Sequence, residues 1–517
     1  MKSRTQKSAR NMAVGLVSQV FTLLLSFVTR TFFIKLLTAE YLGINGLFSN
    51  VLTVLSFAEL GIGSAMTYAM YKPVKENDHK LINQLMLFYK KAYTAIAITV
   101  GIIGLILSFF LGYIVAEPPK IPESLQVIFW LYIINNMASY LLTYKKSILT
   151  AYQEDYIISG VQQITSVVQQ LLQIILLWLT RQYLIYLLIQ ISCTIANNVA
   201  ISIIVRKRYP WLSEKDQDEL PPEVSQEIHK NIKALSVSKI AGVISNGSDN
   251  IIISKFVGLS AVGLASNYTM IINALNGILW TGLSSMTSSF GNFNVDSSVE
   301  QKRKLFDELF LCSYWLYGFL TIGVATLINP FIELWVGNEY VLPMEVVLAL
   351  IFITYVSGAN FPLYTYQTTL GMFDKMQYPY LAFGICNIIL SIILGIKWGL
   401  FGIYIATSIT RLCTSEAAGG YYVFRYGLYL SPLYYVKKYL GALLLLLING
   451  LITNFFISWV PFSGIPGFAV KVVVCTIACN GLYLLFFFKT NAFKGLAARM
   501  LSLIKIGRLT IKSQAPK

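Results

Sequence analysis

From Asn11 to Phe488 the chain reads as a succession of long apolar stretches separated by short polar breaks, with only a handful of charges inside any of them. A bilayer core takes about 20 apolar residues per helix. The pattern therefore predicts about fourteen membrane-spanning helices, over residues 11–37, 44–70, 85–115, 124–144, 156–179, 183–205, 235–257, 262–290, 305–329, 344–368, 379–398, 400–424, 439–460 and 467–488. So many spans in 517 residues leave almost nothing for a soluble domain, and the fold class is an all-α polytopic membrane protein. Lys2, Arg4, Lys7 and Arg10 lead into the first stretch, which is too long for a removable signal peptide and lacks a small-residue cleavage site.

The one substantial polar break follows the sixth stretch. Arg206-Lys207-Arg208 leads into Glu214, Asp216, Asp218 and Glu219, then Pro221-Pro222. Beyond the prolines, Val224, Ile228, Ile232 and Leu235 recur at helical spacing on one face, which predicts a short helix at the membrane interface feeding the seventh span. The expected organisation is an N-terminal six-helix lobe (1–210), a cytoplasmic linker (211–234), a second six-helix lobe (235–425), and two further helices with a basic tail (426–517).

The two lobes read as a repeat. Residues 26–70 laid over 246–290, an offset of 220, pair Lys35 with Lys255, Gly43 with Gly263, Leu55 with Leu275, Ser64 with Ser284, Met66 with Met286 and Thr67 with Thr287. Each lobe has six spans, so the repeats share one orientation and their symmetry axis lies along the membrane normal. Such parallel repeats are expected to enclose a cleft between lobes.

Charge fixes the orientation. Hydrophobic residues make up 56% of the chain and charged ones 12%, with a mean hydropathy of +0.63. The net charge of +16 is distributed as alternate loops require and does not point to nucleic acid: 32 of the 40 Lys and Arg fall in segments that share a side with the amino terminus. The positive-inside rule then places both termini in the cytoplasm and demands an even number of spans. His79 and His229 are expected as solvated loop residues. The six cysteines all lie within spans, and Cys475 and Cys479, though on one helix face, have no histidine nearby to complete a zinc site.

Candidate chemistry therefore lies among the embedded charges. An ionised side chain at mid-bilayer costs about 2.5–3.5 kcal/mol and normally faces a partner or a hydrated cavity. Here they are Arg30, Glu59, Asp249, Arg411 and Glu416, with Lys35 and Lys255 near the outer ends of the first and seventh spans. The basic residues Arg30, Lys35, Lys255 and Arg411 are candidates for binding an anionic substrate, since guanidinium offers a rigid fork suited to phosphate. Arg411, Ser415 and Gly419 share a helical face that a polar ligand could approach. Glu59, Asp249 and Glu416 are candidates for coupling to H⁺ or Na⁺; structural Arg–Glu pairing is the rival reading for all of them. Gln162, Gln169 and Gln173 would either bind sugar hydroxyls or hold helices together. No G-x-x-x-x-G-K-[ST] loop, metal cluster or nucleophilic triad is present in the sequence, so transport without a cofactor is expected rather than enzymatic catalysis.

The stretch Ser248-Asp249-Asn250-Ile251-Ile252-Ile253-Ser254-Lys255-Phe256-Val257-Gly258, followed by Val262-Gly263 and Asn267-Tyr268, resembles the start of the second half in bacterial polysaccharide flippases. Leu334-Trp335-Val336-Gly337-Asn338-Glu339-Tyr340 and the early segment ending in Tyr41-Leu42-Gly43 fit the same pattern. The family is the polysaccharide transporter family of the multidrug/oligosaccharidyl-lipid/polysaccharide exporter superfamily. The resemblance implies a twelve-helix, two-lobed core with two added helices that flips undecaprenyl-pyrophosphate-linked oligosaccharides outward by alternating access through a cationic cavity. Arg30, Lys35, Lys255 and Arg411 would then attract the pyrophosphate or acidic sugars. Its partners would be the lipid-linked oligosaccharide, membrane lipids, and glycan polymerase and assembly enzymes; capsule, O-antigen, exopolysaccharide and teichoic material are all open as cargo. Two alternatives stand beside it: a proton- or sodium-coupled multidrug exporter of the same superfamily, and a non-transporting scaffold for glycan-assembly enzymes.

The orientation is directly testable. Cysteines introduced at Pro119 and Gly464 should react with a membrane-impermeant reagent in intact cells, whereas cysteines at His229 and Ala515 should not; labelling of either of the latter reverses the topology.

Overall fold

In a medium without water every backbone donor and acceptor must be paired within the chain, which restricts a long apolar sequence to helices. The computed structural model describes residues 21–55, 59, 62–115, 119–212, 220–226, 228, 229, 232, 248–296 and 298–498, and among these every regular element is helical. Nine of the described helices are long and apolar enough to cross a membrane, from His79–Ser108 to Gly464–Phe487. The chain is a multi-pass membrane protein. By packing it divides into two compact units, Met1–Ser266 and Asn267–Lys517.

That division falls beyond the expected linker at 211–234, because residues 248–266 pack with the first unit. The Asp249–Phe256 helix lies against Ala39–Leu55, and two glycines bring the backbones together where the chain continues into Leu259–Asp296. A Cβ on Gly43 would strike the carbonyl oxygen of Leu259, and one on Gly263 would strike that of Ala39. These four residues are related by the 220-residue offset, Gly43 to Gly263 and Ala39 to Leu259. The repeat thus makes a reciprocal contact with itself.

Several predicted spans are broken. Within the single stretch 44–70 the described residues belong to two helices, Ala39–Leu55 and Ile62–Glu76, and Glu59 between them has 3₁₀ geometry. Glycines at 61 and 63 weaken the helical preference of an otherwise continuous apolar run. The fourth stretch also breaks. The Leu125–Tyr140 helix stops at Leu141, Leu142 turns left-handed at φ 63°, and Thr143–Lys145 forms a 3₁₀ turn before Lys146–Ala151. A leucine in that region is strained. Asn198 compensates: its Nδ2 donates to the carbonyls of Ala138 (3.0 Å), Ser139 (3.2 Å) and Leu141 (2.9 Å).

The amphipathic stripe after the diproline meets protein on its apolar face. Ile228 is buried, and Val224 and Ile232 pack on a core containing Met86, Tyr89 and Val205; Leu235 lies outside the described residues. The two histidines are also not simply solvated. His79 stacks on Trp211 with ring centroids 3.9 Å apart, and His229 meets Phe88 edge-on at 6.0 Å. Beside them Tyr209 donates to Glu154 at 2.9 Å, and burial together with that carboxylate pushes the Tyr209 phenol above its usual range.

In the second unit the chain reverses at Gly399, whose φ of 58° and ψ of −137° suit glycine. The two arms pack so closely that a Cβ on Gly402 would strike the Leu394 carbonyl, and the buried Asn387 donates across them to Thr407 Oγ1 at 2.8 Å. The last two long helices, Pro432–Ser458 and Gly464–Phe487, are joined by Asn449 Nδ2 donating to the Cys479 carbonyl at 3.1 Å. They pack on Val299–Val336, where Trp315 Nε1 donates to Asn480 at 2.8 Å.

Asn198→Leu should destabilise the first unit by about 1–3 kcal/mol, the cost of stranding buried carbonyls. Thermal unfolding of the purified protein in detergent reads this directly. An unchanged transition would mean that the break finds other donors.

Candidate functional site

In the second unit the polar residues converge where the helix loses its α geometry. The Phe373–Arg411 segment passes into a π-helical turn over Leu412–Glu416, a short α-helix over Ala417–Tyr422, and a second π-helical turn over Val423–Gly427. Such turns are rare and are frequent at functional sites. Arg411 opens the first turn and Glu416 closes it. The Arg411 guanidinium donates from Nη1 to Ser357 Oγ at 2.8 Å and lies 4.9 Å over the Phe383 ring, while among the described residues its Nε has no hydrogen-bond partner. Glu416 lies in the field of Arg411 and near Asn360.

Asn360 holds the arrangement together. It occupies the junction between Met344–Ala359 and Phe361–Thr369, where Pro362 resets the chain. Its Nδ2 donates to the Val356 carbonyl at 2.8 Å and its Oδ1 accepts from the Tyr435 hydroxyl at 2.5 Å. The face expected to carry Arg411, Ser415 and Gly419 toward a ligand does not form as such. A π-turn alters the angular step, Ser415 is buried, and a Cβ on Gly419 would strike the Gln367 amide. That glycine serves the approach of a side chain from its own unit.

In the first unit Arg30 donates from Nη2 to Ser266 Oγ and lies within electrostatic reach of Tyr132, Tyr183 and Tyr186. The phenols of Tyr132 and Tyr183 are 2.9 Å apart, and Phe33 packs edge-on against Tyr183 and Tyr186. Arg30 therefore has a polar anchor and an aromatic surround, as Arg411 does. Its repeat mate, Asn250, bears no charge.

The other candidates are dispersed. Lys35 and Lys255 are exposed in the last turns of residues 21–36 and Asp249–Phe256, where positive charge suits the free carbonyls. Asp249 is half-buried in the first turn of its helix, where a carboxylate suits the free N–H groups. Glu59 accepts from the Tyr93 hydroxyl at 3.4 Å. Of the expected glutamines, Gln173 donates to the Tyr186 carbonyl at 3.3 Å and Gln162 is exposed, while their neighbours act between helices: Gln163 donates to Thr22, and Ser26 donates to Gln170 at 3.2 Å. Sequence reasoning missed Ser266, Ser357, Asn360 and Tyr435. Only Asn360 carried a local signal, as a polar residue two before a proline inside an apolar run.

A family model described as "Polysaccharide biosynthesis protein" matches residues 8–287, more than half of the chain. The chain belongs to that family. No curated protein matches. Among solved structures, this polysaccharide biosynthesis family member resembles the lipid II flippase MurJ in an inward closed conformation, at 14% identity and a TM-score of 0.65, over 92% of this chain and 99% of that one. It also resembles an inward-facing multidrug resistance MATE family transporter of the MOP superfamily, at 12% identity and a TM-score of 0.58, over 78% of this chain and 94% of that one. A MOP superfamily transporter from Pyrococcus furiosus, noted for the reverse polarity of its binding pocket, matches at 11% identity and a TM-score of 0.52, over 81% and 95% of the two chains. The family member thus has the fold of the MOP-superfamily flippases and transporters.

If Arg411 and Glu416 share one field, the substitutions Arg411→Gln and Glu416→Gln should be non-additive by about 0.5–3 kcal/mol in a double-mutant cycle on unfolding. Additivity within experimental error would separate them.

Proposed function

We propose that the protein flips lipid-linked oligosaccharides, with an undecaprenyl-pyrophosphate carrier, across the bacterial cytoplasmic membrane. The observation that carries this reading is Arg411: its guanidinium is fixed in an apolar helix bundle by a neutral hydroxyl, and its buried Nε has no partner among the described residues. A pyrophosphate leaving water needs replacement donors of that kind, and the planar guanidinium supplies them with geometry as well as charge. Arg30, anchored on Ser266, gives the first unit a similar group. Membership of a polysaccharide biosynthesis family and the MurJ-like fold support the choice of cargo class.

The head group would pass by alternating access while the polyprenyl tail stays in the bilayer, and both termini would face the cytoplasm. Capsule, O-antigen and exopolysaccharide repeat units all meet the chemical requirement, and glycan polymerase and assembly enzymes would be its partners. Glu416, Glu59 and Asp249 are the carboxylates through which a H⁺ or Na⁺ gradient would act. Identifying the lipid-linked glycan that accumulates in cells lacking the protein assigns the cargo.

Arg411→Gln and Arg30→Gln should each cut flipping at least about tenfold at normal membrane abundance, the effect of losing about 1.4 kcal/mol of cargo stabilisation, and Arg→Lys should retain part of it. Wild-type export by the double Gln variant at equal protein level would refute the proposal. A drug exporter would instead lose most at Glu59 or Asp249.

A further inference from the structure

The broken helix at Leu141 has a second consequence on the outside of the first unit. Where the backbone steps aside it leaves a groove of about 330 Å³ between the His79–Ser108 helix, the break itself and the Tyr183–Arg208 helix. Its volume lies at the small end of the range for ligand sites, about 300–1,000 Å³. The groove is open and apolar: Leu141, Ile195 and Val199, all lining it, are 50%, 47% and 39% exposed. Asn198 makes it apolar, because the carbonyls bared by the break point into its amide rather than into the groove.

Lys90 also lines the groove. A lysine on a membrane helix carries its ammonium to head-group level. The three walls agree on which end that is. Lys90 precedes Thr94 by one turn, Val199 lies one turn nearer than Ile195 to Arg206-Lys207-Arg208, and Leu142 lies nearer than Ala138 to Lys145 and Lys146. The groove therefore runs from a basic rim, with Lys91 adjacent, into the depth of the acyl chains. Among the described residues no Asp or Glu lines it.

We propose that this groove is a binding site for an anionic phospholipid, whose acyl chain fills the space beside Leu141, Ile195 and Val199 and whose phosphate is held by Lys90. Basic recesses between membrane helices recognise anionic head groups, and one lysine near the surface is worth about 1 kcal/mol, or about a fivefold preference over a zwitterionic lipid. The site is separate from Arg30 and does not rest on what the protein transports.

The test uses the full-length protein reconstituted in vesicles of equal parts phosphatidylglycerol and phosphatidylcholine, then extracted and weighed intact with its retained lipid. The wild type should keep one phosphatidylglycerol in about fivefold excess over phosphatidylcholine. Lys90→Gln should abolish the preference, Lys90→Arg should keep it, and Val199→Trp or Ile195→Trp, which fill the groove from exposed positions, should lose the lipid. Unfolding temperature in detergent reports whether each variant is folded, and the two tryptophan substitutions check one another. Equal phosphatidylglycerol retention in Lys90→Gln and both tryptophan variants overturns the proposal. So does displacement of the retained lipid by undecaprenyl pyrophosphate in the wild type but not in Lys90→Gln, which would make the groove a cargo site.

Discussion

A backbone carbonyl released inside a hydrocarbon layer has no water to turn to, and the architecture of both units follows from how each released group is repaired. At Leu141 the repair is one asparagine serving three carbonyls. At Asn360 the residue at the break donates to its own preceding turn and accepts a tyrosine hydroxyl. At Arg411 the helix changes its winding rather than stopping, so the chain keeps its internal hydrogen bonds while the spacing of its side chains shifts. Asn198, Asn360 and Arg411 therefore act where helices are irregular.

The same constraint separates structural polarity from candidate function. Gln163, Gln170, Gln173, Asn387 and Asn449 spend their side chains between helices. Arg411 differs, because a hydroxyl satisfies one nitrogen while the buried Nε has no partner among the described residues. Nearby Glu416 lies in the same field without forming a close ion pair among the described residues. A tight bidentate pair would have been better neutralised and less useful.

Much of the fold was legible in the pattern of apolar residues. The boundaries at Thr180, Gly399 and Ser458 fall within a few residues of those read from the sequence, because turns interrupt the apolar run there. Other features lay beyond a one-dimensional reading. Leu412-Cys413-Thr414-Ser415-Glu416 has nothing in its composition to distinguish a π-turn from an α-turn. The Val224–Ile228–Ile232 stripe looks the same whether lipid or protein receives it. The partners of Arg30 and Arg411 are serines 236 and 54 residues away, and a serine in an apolar span is ordinary until the fold delivers an arginine to it.

The reciprocal approach of Gly43 and Gly263 has the form of a two-fold dimer interface folded into one chain. In such an interface one surface meets its own copy, so a single unduplicated segment could already have formed it between two separate molecules lying in the membrane in the same orientation. Most of the 45 aligned positions differ between the two segments. Here change is barred from both sides at once, since a side chain on either glycine collides with the backbone of the other repeat. Two segments that share few residues thus meet, at this point, under the same steric rule.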